Sequence, residues 1–121
     1  MIHRSAEATR AANLTYHLVP TPEWESIGDA EWYTPQAFDQ DGFIHCTNGL
    51  DELIAVGNLF YTADPRDFTV LVLDVPAITS ELRYDDGGEV YPHIYGPLNT
   101  SSVLGNLQVT RDSEGRFVSI D

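Results

Sequence analysis

The sequence contains no lysine, and its 6 basic residues, all arginines, are set against 19 acidic ones. The formal net charge is therefore −13. Proteins that bind duplex nucleic acid do so largely by neutralising phosphates with lysine and arginine. A strongly negative average field repels that backbone, so the composition predicts no binding of duplex nucleic acid.

Cysteine is also scarce, since Cys46 is the only one. A single thiol cannot form an internal disulfide, and the first residues do not combine a charged segment with an apolar one as a secretion signal does. No apolar run approaches the ~20 residues that a membrane span requires. We therefore expect a cytoplasmic protein without a membrane partner.

A chain of 121 residues is long enough for one domain with its own core. Residues 1–13 contain few large apolar side chains, and we interpret them as a flexible N-terminal extension. Residues 14–121 then form a single α+β domain with more strand than helix. Two helices are expected, one short at residues 21–28 and one amphipathic at 50–61 with Thr47 as its N-cap.

Strands are predicted from alternating or continuous apolar sequence. The segment FTVLVLDV at residues 68–75 is almost entirely apolar, which is typical of a central strand buried on both faces. Residues 103–110 and 116–120 are expected to pair as a hairpin. Further extended segments are predicted at residues 14–19, 32–34, 42–47, 81–84 and 88–98.

The stretch GEVYPHIYGPL at residues 88–98 is the one most rich in polar and aromatic side chains that could form a site. If it is a strand, Glu89, Tyr91, His93 and Tyr95 share one face, because side chains alternate with a period of two. Pro92 cannot donate to a sheet ladder, so we expect an edge or bulged strand. One face of this strand then resembles core, and the other resembles a site.

Three histidines, His17, His45 and His93, each lie in a predicted strand. If these strands are neighbours, the imidazoles meet in one cleft. For any one histidine taken singly, a half-buried strand residue bonded to backbone is the favoured interpretation. A zinc site with an open fourth position is the third interpretation. A nucleophilic pair of Cys46 with His45 is disfavoured, because adjacent strand residues point to opposite faces.

Glu89 has two interpretations as well. It follows an acidic, glycine-rich turn and is compatible with a solvated turn residue. On a regular strand it lies on the face of His93, roughly 13 Å away. That separation suits opposite ends of a substrate rather than a direct proton relay between the two side chains.

The segments TYHLVP at residues 15–20, DGFIHCT at 41–47 and GEVYPHIYGPL resemble, in order and spacing, the signature of a family of small bacterial proteins, domain-of-unknown-function family 952. The resemblance implies a fold similar to the ADP-ribosyltransferases, with two small split β-sheets and peripheral helices around a cleft that holds NAD. A clear pair of acids around a catalytic glutamate is absent, so Glu89 and His93 both remain candidates for the third group of the site.

By this resemblance, the protein binds NAD or a related nucleotide, as an ADP-ribosyl- or phosphotransferase-like enzyme or a degenerate one. The implied catalytic residues are Glu89, His93 and His45. The implied ligand-binding residues are His17, Thr47, Tyr91 and Tyr95. The alternatives are a non-catalytic module for a small molecule and a metal-dependent hydrolase that uses the three histidines.

Overall fold

The computed structural model describes residues 2–121. Its helices are α1 (Ala6–Ala11), α2 (Thr21–Glu25), α3 (Phe38–Asp41) and α4 (Leu50–Phe60). Its strands are β1 (Leu14–Pro20), β2 (Trp32–Tyr33), β3 (Ile44–His45), β4 (Phe68–Asp74), β5 (Glu81–Arg83), β6 (His93–Tyr95), β7 (Leu98–Asn99), β8 (Val103–Arg111) and β9 (Phe117–Ile120).

The largest sheet has four antiparallel strands in the order β1-β4-β8-β9. The prediction of a central strand in FTVLVLDV is confirmed, because β4 pairs on both sides and residues 68–73 are buried. The predicted hairpin is also confirmed, as β8 pairs with β9. Apolar residues on both faces of β4 give the domain two hydrophobic clusters.

The first cluster lies between this sheet and α4 and contains Tyr16, Leu50, Leu53 and Val70. The second lies on the opposite face, where two smaller sheets cover it: a three-stranded sheet β3-β6-β5 and a two-stranded sheet β2-β7. The thiol of Cys46 belongs to this second cluster and is buried. The α+β class with antiparallel sheets and few helices is thus confirmed, although the hydrogen bonding defines three sheets rather than two.

The segment GEVYPHIYGPL forms a much shorter strand than the alternation predicts, because only His93–Tyr95 is regular. The expectation of an edge strand is wrong: β6 lies between β3 and β5. Pro92 comes just before the strand, where its missing N–H costs no ladder bond and its carbonyl accepts a hydrogen bond from Cys46 N–H. Proline therefore marks the start of this central strand.

A flexible extension was predicted for residues 1–13, and Met1 lies outside the described residues. The rest of this segment is ordered and contains α1. Ser5 caps α1 by accepting from Ala8 N–H, and Thr9 on this helix is fully buried. The carbonyls of His3 and Arg4 accept hydrogen bonds from the N–H groups of Leu50 and Asp51. Backbone from the N-terminal segment therefore caps α4.

This contact explains why Thr47 is not the N-cap of α4. The cap residue is Gly49, whose φ of +92° suits glycine. A Cβ at Gly49 would lie 2.7 Å from Ala6 N and 2.9 Å from Arg4 O. The chain can pack this closely only because residue 49 has no side chain.

The remaining differences are local. The first predicted helix ends at Glu25 rather than at Gly28, and α3 was not predicted. The strand expected at residues 42–47 is reduced to Ile44–His45. Among residues 2–121, no helix is long and apolar enough to cross a membrane.

Candidate functional site

His17 lies on the face of β1 that packs into the second cluster, and its imidazole is almost completely buried. Its Nδ1 is 2.7 Å from the carbonyl oxygen of His45, and its Nε2 is 2.8 Å from the Tyr33 hydroxyl. A carbonyl only accepts, so Nδ1 carries the proton and Nε2 accepts from Tyr33. Burial lowers the pKa of His17 to about 4, and the ring is therefore neutral at physiological pH.

The three-stranded sheet has an apolar inner face and a polar outer face. Its register aligns Ile44, Ile94 and Leu82, whose side chains belong to or pack against the second cluster. One step along the strands, His45, His93 and Arg83 are aligned, and they point the other way because strand side chains alternate. We call the outer surface the histidine face; it comprises Phe43, His45, Arg83, His93 and Tyr95, with Asp41 and Asp85 beside it.

His93 is held by a carboxylate and by a ring. Its Nδ1 lies 3.0 Å from Oδ2 of Asp85. Phe43 stacks on the imidazole, with ring centroids 3.9 Å apart and planes 13° from parallel. Both contacts fix the plane of the imidazole, and if Nδ1 donates to Asp85, Nε2 is left as the acceptor.

Asp85 also accepts a hydrogen bond from the Tyr95 hydroxyl. The bonds from Tyr95 and then from His93 lower the pKa of Asp85, since both stabilise the charged form. The same contact with the Asp85 carboxylate raises the pKa of Tyr95. Asp85 is thus ionised at neutral pH, and Tyr95 remains a phenol.

His45 forms a second imidazole–carboxylate pair with the opposite nitrogen. Its Nε2 is 3.0 Å from Oδ2 of Asp41, the last residue of α3. The rings of His45 and His93 have centroids 5.5 Å apart. The side chain of His45 is 62% exposed and that of His93 is 20% exposed, so His45 is the more accessible of the two.

The charge around the histidine face is predominantly negative. Arg83 lies over the Tyr95 ring, 4.5 Å from its centroid, and pairs with Glu81 at 2.8 Å. The face and its border carry this one guanidinium and three carboxylates, those of Asp41, Glu81 and Asp85. These carboxylates outnumber the guanidinium, so phosphate groups are repelled from the centre of the face.

The structure brings together three of the predicted site residues, His45, His93 and Tyr95. It places Glu89 elsewhere, in an ion pair with Arg10 at 2.9 Å. Thr47 is buried, and its backbone pairs with that of Tyr16 in an isolated antiparallel β-bridge. Tyr91 is 38% exposed in the irregular segment before β6.

The three histidines do not line one cleft, because the ring of His17 is buried beside the second cluster. It bonds to the backbone carbonyl of His45 and to the Tyr33 hydroxyl, on the opposite side of the small sheet from the imidazoles of His45 and His93. Convergence of the three histidines on one metal ion, as the hydrolase alternative requires, is therefore not found. Within residues 2–121, no group of three or more His, Cys, Asp and Glu side chains is arranged to hold a metal ion.

Sequence reasoning missed Phe43, Arg83, Asp41 and Asp85. For Asp85 a signal exists, because residues 81–84 were expected to be extended and to lead into an acidic turn before the histidine strand. Antiparallel pairing around that turn pairs Arg83 with His93. Such a register brings Asp85, two residues beyond Arg83, close to the face of His93.

Together, these elements define a small α+β domain of antiparallel sheets that carries the histidine face on its three-stranded sheet. The chain belongs to the family described as "Protein of unknown function (DUF952)", whose model matches residues 18–106. The matched region includes the histidine face but neither α1 nor β9.

Solved structures of protein CC0527 from Caulobacter crescentus are similar to this chain. Its X-ray crystal structure has a TM-score of 0.71 at 20% identity, with 87% of this chain and 93% of that chain covered. Its solution NMR structure has a TM-score of 0.67 at 21% identity, with 85% and 90% covered. Such identities show a shared fold alone. No curated protein matches the sequence.

Proposed function

We propose that the histidine face binds NAD or a related nucleotide through its ribosyl end, on a scaffold of the ADP-ribosyltransferase type. The observation that carries the proposal is the pairing of β3 with β6, which sets His45 opposite His93. Phe43 and Tyr95 flank the two imidazoles. A sugar offers hydroxyl groups to such imidazoles and carboxylates, and C–H groups to the aromatic rings.

The charge distribution supports binding by the ribosyl end rather than by the phosphates. Ribose hydroxyls can donate to Asp41 and Asp85 without bringing a second negative charge to the face. The pyrophosphate of NAD or ADP-ribose then extends away from these carboxylates. Arg83 is the cation of the face that can approach it, once its guanidinium leaves Glu81.

Under this proposal His17 supports the site from beneath instead of touching the ligand. Its bond to the His45 carbonyl ties β3 to β1 across the second cluster. We take the four-stranded and three-stranded sheets on either side of this cluster as the counterparts of the split sheets that an ADP-ribosyltransferase-like scaffold would have. Because apolar side chains fill the space between them, the proposed ligand lies on the outer side of the smaller sheet.

Isothermal titration calorimetry with ADP-ribose and with NAD tests the proposal. The parent protein is expected to bind at least one of them, and His93→Ala is expected to weaken binding about 10-fold or more, which corresponds to about 1.4 kcal/mol. His3→Ala is the matched control, because His3 contributes backbone contacts near α4. Absence of binding to both nucleotides at millimolar concentration would refute the proposal.

A non-catalytic binding module is the second candidate, and the exposure of the histidine face favours it. The His45 side chain is 62% exposed, whereas catalytic sites commonly exclude water from reacting groups. A ligand that binds by calorimetry and is recovered unchanged after prolonged incubation would support this candidate. Its conversion to product would support an enzyme.

A further inference from the structure

The two imidazole–carboxylate pairs of the histidine face are bound through opposite nitrogens. His93 uses Nδ1 towards Asp85, and His45 uses Nε2 towards Asp41. We propose that His93 is a general base and His45 a general acid in the hydrolysis of ribosides whose leaving group must be protonated. This inference rests on the proposed function, in which the face receives a ribosyl group.

His93 has the arrangement expected of a base. With its Nδ1–H donated to Asp85, the lone pair of Nε2 is available to a water molecule. The Asp85 carboxylate stabilises the imidazolium that forms when the proton arrives, as a buttressing carboxylate does in other imidazole bases. The stacked Phe43 ring and the bond from Tyr95 to Asp85 hold this geometry in place.

His45 has the arrangement expected of an acid. Its Nε2 is engaged by Asp41, so Nδ1 is the nitrogen left for a leaving atom. Its exposed side chain exchanges protons readily with solvent. The ring centroids are 5.5 Å apart, so both imidazoles lie side by side within reach of one small reacting centre.

The hydrolytic step balances with water as the only second reactant. The water oxygen bonds to C1 of the ribose while His93 Nε2 takes one of its protons. The bond from C1 to the leaving atom breaks, its electron pair stays with the leaving group, and protonated His45 delivers a proton there. His93 then releases a proton to solvent and His45 takes one up, which restores the starting state.

This arrangement distinguishes between leaving groups. Nicotinamide departs from NAD as a neutral molecule and needs no proton, so His45 would contribute nothing to that reaction. An alcohol, a phenol or a neutral nucleobase departs as an anion unless it is protonated. The presence of a second histidine with its own carboxylate therefore favours ribosides of this second kind.

The probes that test the inference are phenyl β-D-ribofuranoside and 4-nitrophenyl β-D-ribofuranoside. Phenoxide needs protonation far more than 4-nitrophenoxide does. The parent protein is expected to hydrolyse both. His93→Ala is expected to lower both rates, whereas His45→Ala is expected to lower phenol release about 100-fold and nitrophenol release only slightly, given the usual size of acid–base contributions.

The pH dependence gives a second readout. The rate with the phenyl riboside is expected to be bell-shaped, and His45→Ala is expected to remove the decline at high pH. The charged or titratable groups that face the two imidazoles are Asp41, Glu81, Arg83, Asp85 and Tyr95. His3→Ala is expected to leave both the rates and the profile unchanged.

Two results would overturn the inference. If neither riboside is hydrolysed above the buffer rate although ADP-ribose binds, the acid–base assignment is wrong while the proposed binding function stands. If His45→Ala slows both ribosides equally, His45 is not the acid. Failure of ADP-ribose and NAD to bind refutes the proposed function itself, and circular dichroism of each variant separates loss of activity from loss of fold.

Discussion

Asn58 and Phe117 are joined by two hydrogen bonds that reproduce one step of a β-ladder. The Asn58 Oδ1 accepts from the Phe117 N–H at 2.6 Å, and its Nδ2 donates to the Phe117 carbonyl at 3.0 Å. Asn58 belongs to α4, and Phe117 begins the edge strand β9. A helical side chain thus occupies the place of a neighbouring strand and protects part of the sheet edge.

Asn58→Ala is expected to destabilise the protein by about 1–3 kcal/mol, because it leaves two partly buried backbone groups without a partner. Urea unfolding measures this change. Asn106→Ala, at an exposed position of β8, is the control and should stay within about 0.5 kcal/mol of the parent. Equal effects of the two substitutions would contradict the role assigned to Asn58.

Gly57→Ala is expected to destabilise the protein, although alanine in a helix interior is ordinarily favoured over glycine by about 1 kcal/mol. The added Cβ would overlap the ring of Phe117, which packs directly on the Gly57 backbone. Thermal unfolding shows the sign of the effect. In a Phe117→Leu background the cost of Gly57→Ala should shrink, and an unchanged cost would rule out this clash as the cause.

Because His17 is buried in its neutral form, we expect the free energy of unfolding to fall in mild acid. Its pKa is about 4 when folded, against an ordinary value of 6.5. Between these values the unfolded chain binds the proton and the folded protein does not, so the free energy of unfolding falls as the pH drops from 6.5 towards 4. The expected loss is on the order of 3 kcal/mol.

Chemical denaturation at several pH values measures this loss, and His17→Gln isolates it from the titration of the carboxylates. The difference in free energy of unfolding between the parent and the variant should narrow as the pH falls through this range. A difference that is independent of pH would mean that His17 is not held neutral in the core.

The N-terminal segment should protect the first turn of α4. Its carbonyls of His3 and Arg4 accept from Leu50 and Asp51, so removal of residues 1–5 exposes these amides to water. Hydrogen exchange is expected to accelerate at Leu50 and Asp51 much more than at amides of β4. Similar exchange in the full and shortened chains would contradict the capping role.

Much of the larger sheet could be predicted from the sequence. The apolar run of β4 and the alternation in β8 and β9 are local patterns, and they lead directly to a buried central strand and a hairpin. The order of the N-terminal segment could not be predicted in this way. It depends on Gly49 and Leu50, which are distant from this segment in the sequence. The segment packs against the backbone of Gly49, and the Leu50 N–H donates to it, and neither contact leaves a pattern in the sequence.

Those features of the site that depend only on the alternation of side chains along a strand could be predicted. Alternation places His45 and His93 on the outer face of their strands, where the structure has them. It cannot distinguish a solvent-facing side from a second buried side, and His17 lies on the latter because another sheet covers β1. The position of Asp85 follows from the register of β5 with β6, which the sequence alone does not specify.

The most direct test of the histidine face is an NMR titration of the imidazole ¹⁵N and ¹H resonances with ADP-ribose. We expect large, saturable shifts for His45 and His93 and little change for His3. The ring of His17 should remain in its neutral Nδ1–H form throughout. Saturable binding that leaves the resonances of both His45 and His93 unchanged would contradict the account.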